Sequence, residues 1–173
     1  MRKPGLLFLC ILILLSSLHA SDMHITMSLD ASALDSCFAS GKRISCDFGL
    51  RRGQVGLDIP FSYGFSLEEE IGVIDASVSL RLYPIEDVGL YMATDIISWI
   101  HIFGVDAPEG KDIYPPSFNV GYTFAYGCFL VEPEVIFQNP LRLEVQSLSF
   151  LSERFPCYRD FYFSLKLGLD LSI

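Results

Sequence analysis

His101, with Asp106 and either Ser98 or Ser117 nearby, has the residue types of a nucleophile, base and acid set. Such a trio would support hydrolytic acyl chemistry if folding brought the three side chains together. The rest of the chain gives catalysis little to work with. Past the first twenty residues the only histidines are His24 and His101, and no HExxH, GxSxG, Walker loop or zinc-type cysteine pairing occurs. His101 is therefore expected to be an ordinary loop or interface residue. The chain is read as non-enzymatic, with no cofactor and no metal.

A second constellation is charged: Asp47, Asp58, Asp75, Arg81, Asp95, Glu132, Glu134, Lys166 and Asp170 all fall on the polar phase of alternating segments. Lining a water-filled path, they would select or gate cations. Packed in a low-dielectric interior, they would have to pair with one another, and this salt-bridge reading is preferred. Acids exceed bases in the set by seven to two. Some carboxylates must then be protonated, metal-bound or near a wet mouth.

The elements that must position these groups are strands. Residues 1–20 read as a cleavable signal peptide: Arg2 and Lys3, an apolar run from Leu6 to Leu15 too short to span a bilayer, and a cut after Ala20. Its removal takes the formal charge from −9 to −11, because residues 1–20 contain no acid. An acidic chain has no footprint for nucleic acid. Charged residues are 19% of the sequence and hydrophobic ones 51%, against about 25% charged in soluble domains. No later segment is apolar for long enough to form a membrane helix.

Instead, residues 21–173 form one domain dominated by a period of two, which sends successive side chains to opposite faces of a strand. Eight such stretches are legible. They include Val55-Leu57-Ile59-Phe61-Tyr63-Phe65 set against Gly56, Asp58, Pro60, Ser62 and Gly64, and Phe161 to Ile173 with Leu at every second place from Leu165 to Leu171. Short turns (Arg51 to Gln54, Pro84 to Asp87, Tyr126 to Cys128) alternate with a set of mostly long connections (Ala31 to Arg43, Ile97 to Pro116, Asn139 to Tyr158), of which only the one around Glu68-Glu69-Glu70 is short. That layout is expected of bacterial outer-membrane barrels. Pro60 and Pro133 stand against it locally, since each removes a ladder donor inside a predicted strand.

Alternation does not say which face points outward. Eight strands enclose an interior just wide enough for side chains. The polar face here is Gly, Ser, Ala and Thr with single charges, which suits a narrow lumen; the dense Phe, Leu, Ile and Val face suits lipid. Phe65, Trp99, Phe118, Phe137 and Phe161 would form one aromatic girdle, and Phe48, Tyr83, Tyr126 and Phe129 the other. Cys37 and Cys157 fall in the first and last long loops, neighbours in a closed barrel, so a disulfide between them is expected. Cys46 and Cys128 are expected to be unpaired. The stretch around Trp99, His101 and Phe103 is apolar for a loop. It either extends strands beyond the membrane, the preferred reading, or lines an apolar pocket or gate.

On this architecture, and on a closing strand that runs to the last residue, the chain resembles the small eight-stranded outer-membrane proteins, the OmpX-like, OmpW-like and OmpA-barrel group, over residues 22–173. It departs from them in ending Leu171-Ser172-Ile173 where they end in an aromatic residue. The resemblance implies an all-β, antiparallel, up-and-down transmembrane barrel, with outer-membrane lipid and the barrel-assembly machinery as partners. The expected role is membrane integrity, surface interaction or passage of small apolar molecules. A soluble exported barrel with an apolar ligand is the competing reading, and a lipid-modifying enzyme a more distant one.

Overall fold

The computed structural model describes residues 23–31, 41–66, 68, 70–85, 88–104, 116–141 and 146–172; the leader expected over residues 1–20 lies outside them. Nine extended segments run β1 (Met23–Asp30), β2 (Gly41–Arg52), β3 (Val55–Ser66), β4 (Ile71–Leu82), β5 (Leu90–Gly104), β6 (Phe118–Tyr122), β7 (Phe124–Tyr126), β8 (Phe129–Phe137) and β9 (Phe161–Ser172). They pair in the order β6-β5-β4-β3-β2-β1-β9-β8-β7, and β8 also pairs with β6, which closes the sheet. Because β6 and β7 are halves of one interrupted strand, the nine segments make an eight-stranded antiparallel barrel. Closure joins the two ends of the sheet, while beyond Asp95 the β6-facing side of β5 has no strand partner among the described residues.

The short turns are tight for a local reason. Gly53 and Gly127 take φ of 59° and 61°, left-handed values that a residue with a Cβ adopts at a cost.

Both prolines are accommodated by breaks in the ladder on one side only. Pro60 pairs with Asp47 on β2, while the β3–β4 ladder jumps from Asp58↔Ser79 to Phe61↔Ala76. Pro133 pairs with Leu165 on β9, while on its other side the ladder breaks between Gly121↔Glu134 and Phe124↔Val131. That second break splits the sixth strand at Thr123, whose N–H donates instead to the Gly89 carbonyl at 2.8 Å.

The connection expected from Ile97 to Pro116 is corrected by a β-bulge. Val78 pairs with Ile97 and Ser79 with Asp95, so Ile96 is an extra residue and β5 continues to Gly104. Beyond the bulge the phase shifts by one. Ile97, Trp99 and Phe103 are exposed on the outside, and Ile100 is buried within. Likewise β2 begins at Gly41, earlier than the loop boundary expected at Arg43.

The last long connection contains a helix, α1 (Gln146–Arg154), followed by a 3-10 turn (Pro156–Tyr158). Leu148, Leu151 and Phe155 recur at helical spacing on one face. With Tyr158 they form a buried cluster against Val73 and Ile100 of the inner wall. At about 1.5–3 kcal/mol for each large side chain taken from water, this burial holds the segment in the barrel mouth. Phe155 reaches the wall because Gly64 has no side chain: a Cβ there would lie 3.2 Å from its ring. Alternation carries no information about a helix folded back from a loop, so this plug was not expected.

Tyr83 is also corrected. It is 4% exposed, packed against Tyr91 inside the barrel rather than in the turn-end girdle. It continues the inward phase of Ser79 and Arg81.

Candidate functional site

The interior is built by residues that alternate with the apolar outer face, so every charge of the second constellation is carried inward by its strand. Near the turn end the Arg81 guanidinium donates to Asp58 Oδ2 at 2.6 Å, Glu132 Oε1 at 2.8 Å and the Tyr83 hydroxyl at 3.2 Å. It also lies 4.1 Å from the centre of the Tyr91 ring. Thr123 donates its hydroxyl to the same Glu132 oxygen at 2.6 Å. Lys166 Nζ stands 2.5 Å from Asp47 Oδ2 and 2.9 Å from Glu134 Oε1, and the Tyr91 hydroxyl donates to Glu134 Oε2 at 3.1 Å. One connected network therefore draws side chains from β2, β3, β4, β5, β8 and β9. Below it His24 Nδ1 meets Asp170 Oδ2 at 2.9 Å, and Arg51 lies 3.7 Å from the Tyr83 ring centre.

Nearer the loop end, Asp95 has no ion-pair partner among the described residues. It accepts from the Ser79 and Ser77 hydroxyls at 2.6 and 3.0 Å and from the Ser117 amide at 3.1 Å. Asp75 takes a hydrogen bond from the Tyr158 hydroxyl, and Arg43 lies 3.8 Å away. Arg43 also faces the Tyr158 ring at 5.7 Å. Between these groups and the Arg81 network is a cavity of about 80 Å³, well short of the roughly 300 Å³ at which small-molecule pockets begin.

All nine charged residues singled out from the sequence thus share the lumen, and most are tied into pairs. The surplus of acids is reduced by groups that sequence reasoning passed over. Arg43 and Arg51 are inward cations on β2, and His24 pairs with Asp170. Arg43 and Arg51 stand one residue beyond the alternation of Ile44 to Leu50, so carrying it further would have found them, and His24 already lies on the polar phase of the first stretch. No sequence signal pointed to Tyr158, which arrives with the plug. Among the described residues no cluster has the makings of a metal site.

Trp99, His101 and Phe103 lie on strand β5 and not in a loop. They stand in a row on the outer face of β5, with successive ring centres 6.0 Å apart and planes 10° and 26° from parallel. Among the described residues the serine and histidine of the hydrolytic trio are not brought together. Ser98 has the inward phase and His101 the outward one, Ser117 is hydrogen-bonded to Asp95 and Asn119, and Asp106 lies outside the described residues.

Cys157 is a free thiol, as are Cys46 and Cys128; Cys37, the expected partner of Cys157, lies outside the described residues. Cys157 packs against the plug cluster, and desolvation pushes its thiol up to about 11. Neither a family model nor a curated protein matches the chain. Fold and interior alone define the class: a closed eight-stranded antiparallel barrel, charged within and apolar without.

Proposed function

We propose that the chain is an integral bacterial outer-membrane protein without enzymatic activity, serving membrane integrity or surface interaction through a lumen that does not conduct. The inverted distribution of polarity carries this reading. Phe163, Ile97 and Phe129 are 71%, 65% and 62% exposed, while Glu134 and Asp47 are 3% and 6% exposed. An outer face of this kind far exceeds the few hundred Å² of apolar patch that soluble monomers tolerate. It suits hydrocarbon, where a closed barrel satisfies every backbone group.

The outward face of the described strands carries only three basic side chains, Lys42, Arg52 and His101, and no carboxylate. Lys42 and Arg52 are ten residues apart on β2, with Ile44, Cys46, Phe48 and Leu50 between them on that face. Ten residues cover about 33 Å along a strand, and at a tilt of about 40° that is about 25 Å of membrane thickness, the height of an outer-membrane apolar band. Basic side chains at both ends of the band favour a bilayer over a bound apolar ligand. The plug and the Arg81 network, which fill the lumen from its two ends, favour a structural or surface role over passage.

Detergent extracts of a separated outer-membrane fraction, run boiled and unboiled on a gel, test the location. A compact unboiled band that shifts on heating is expected; recovery in the aqueous periplasmic fraction would refute the reading and favour a soluble barrel. In planar bilayers the purified protein is expected to give no steady conductance. A sustained ohmic current would restore the transport role.

A further inference from the structure

The upper lumen holds more negative charge than its ion pairs absorb. Six carboxylates and three basic side chains line the cavity between the plug and the Arg81 network. Asp58 is held by Arg81, Asp47 and Glu134 by Lys166, and Asp75 lies 3.8 Å from Arg43. Asp95 has no such partner among the described residues. Its donors are the neutral Ser77 and Ser79 hydroxyls and the Ser117 amide. A carboxylate withdrawn from bulk water favours a counter-charge beside it.

Close by stands a second acceptor in want of a partner. Phe118 pairs with Phe137, so Ser117 and Gln138, one residue beyond that pair, oppose each other on the inward phase. Ser117 donates its amide to Asp95 at 3.1 Å and its hydroxyl to Asn119 Oδ1 at 3.2 Å. Gln138 is 9% exposed, and its buried Oε1 has no hydrogen-bond partner among the described residues. The backbone N–H of Gln138 is tied to the Asp160 carbonyl at 2.8 Å. Asp95, Ser117, Asn119 and Gln138 all line the cavity. Buried acceptors are rarely left unpaired, and what gathers here is oxygen: one carboxylate, two amide carbonyls and serine hydroxyls.

We infer that this chamber binds a small monovalent cation, of the sodium class, between the Asp95 carboxylate and Gln138 Oε1, with Asn119 Oδ1 and the serine hydroxyls completing its oxygen shell. Water would satisfy the Gln138 oxygen but brings no charge to Asp95. No three acidic, histidine or cysteine side chains converge among the described residues, so the cage of charged ligands that holds calcium tightly is missing. One carboxylate among neutral oxygens matches a single positive charge. The cavity of about 80 Å³ has room for several water-sized bodies. That suffices for an ion with part of its hydration and is too little for a bulky quaternary ammonium. Asp95 is only partly buried, so an ion can reach it from water.

The test compares urea unfolding of the protein, reconstituted in phosphatidylcholine vesicles, in sodium chloride and in choline chloride of equal concentration. Ionic strength is then constant, and only the ion small enough to enter differs. At ten times the half-saturating concentration, sodium should lower the unfolding constant about elevenfold relative to choline. Asp95→Asn should abolish that difference. Gln138→Met removes one oxygen without changing any charge and should raise the half-saturating concentration about three- to tenfold, the worth of one polar ligand.

Equal stability of the parent protein in the two salts would overturn the site, water alone then filling the chamber. An unchanged sodium response in Gln138→Met would also overturn it, because screening of the lumen carboxylates in general would not depend on a neutral side chain. Stabilisation by calcium or magnesium with none by sodium would overturn the monovalent assignment. None of these outcomes bears on the membrane reading, since the site lies inside the barrel.

Discussion

Replacing Arg81 tests whether the lumen is a paired electrostatic layer or an assembly of independent contacts. Arg81→Met keeps much of the apolar stem and removes the guanidinium from Asp58, Glu132 and Tyr83. Arg81, Asp58 and Glu132 have only 6%, 10% and 5% of their side-chain surface exposed. Glu132 retains the Thr123 hydroxyl, but no other cation lies within ion-pair distance of either carboxylate among the described residues. Removing one partner of a buried ion pair costs about 3–5 kcal/mol, because the charge left behind remains desolvated. Two carboxylates are stranded here, so the loss should lie toward the upper end of that range.

Replacing all three ionic groups together, Arg81→Met with Asp58→Asn and Glu132→Gln, leaves no uncompensated charge and should recover most of the loss. Urea unfolding of protein reconstituted in phosphatidylcholine vesicles, followed by the compact gel band and by Trp99 emission, measures both variants. A single variant within about 1 kcal/mol of the parent would mean the pair is solvated and worth no more than a surface bridge. A triple variant as unstable as the single one would equally defeat the electrostatic account.

Gly89→Ala should destabilise the barrel by about 1–3 kcal/mol on the same unfolding assay, because the added carbon would fall 2.1 Å from the backbone oxygen of Thr123. That region already depends on the Thr123 to Gly89 hydrogen bond. In single-cysteine variants, maleimide should modify exposed Cys128 readily at pH 8 and Cys157 slowly. Labelling of Cys157 should climb as pH approaches about 11, where its thiolate forms. Leu151→Ala, which removes a fully buried plug residue at a cost of about 2–5 kcal/mol, should loosen the plug and speed Cys157 labelling at pH 8; an unchanged rate would mean that the plug does not shield the thiol. Deleting Ile96 should leave a barrel with a compact unboiled band, since it removes the extra residue of the bulge and keeps Trp99, His101 and Phe103 outside. Deleting Met92 instead should abolish that band, because the residues on one side of the deletion would have to exchange faces.

The period of two determined much by itself. Side-chain direction in a strand is a local property, so the alternation sorted Asp47, Asp58, Glu132, Glu134 and Lys166 onto one face and Phe48, Leu57, Val131 and Leu167 onto the other without any knowledge of the neighbouring strands. Turn composition at Gly53 and Gly127 marked which connections were short, for an equally local reason. Tertiary structure alone decided the rest. The extra residue at Ile96 breaks the very period being read, so the alternation stopped short of Ile97 and the phase of Trp99, His101 and Phe103 could not be followed, although an extended strand was the preferred reading there and β5 does continue to Gly104. The plug has helical periodicity inside a long connection, and only the apolar upper wall at Val73 and Ile100 gives its face something to cover. Pairing was beyond local reading as well: Arg81 meets Glu132 across 51 residues and His24 meets Asp170 across 146. Such partners are chosen by strand register around a closed sheet, a property of the whole ring that no single strand carries.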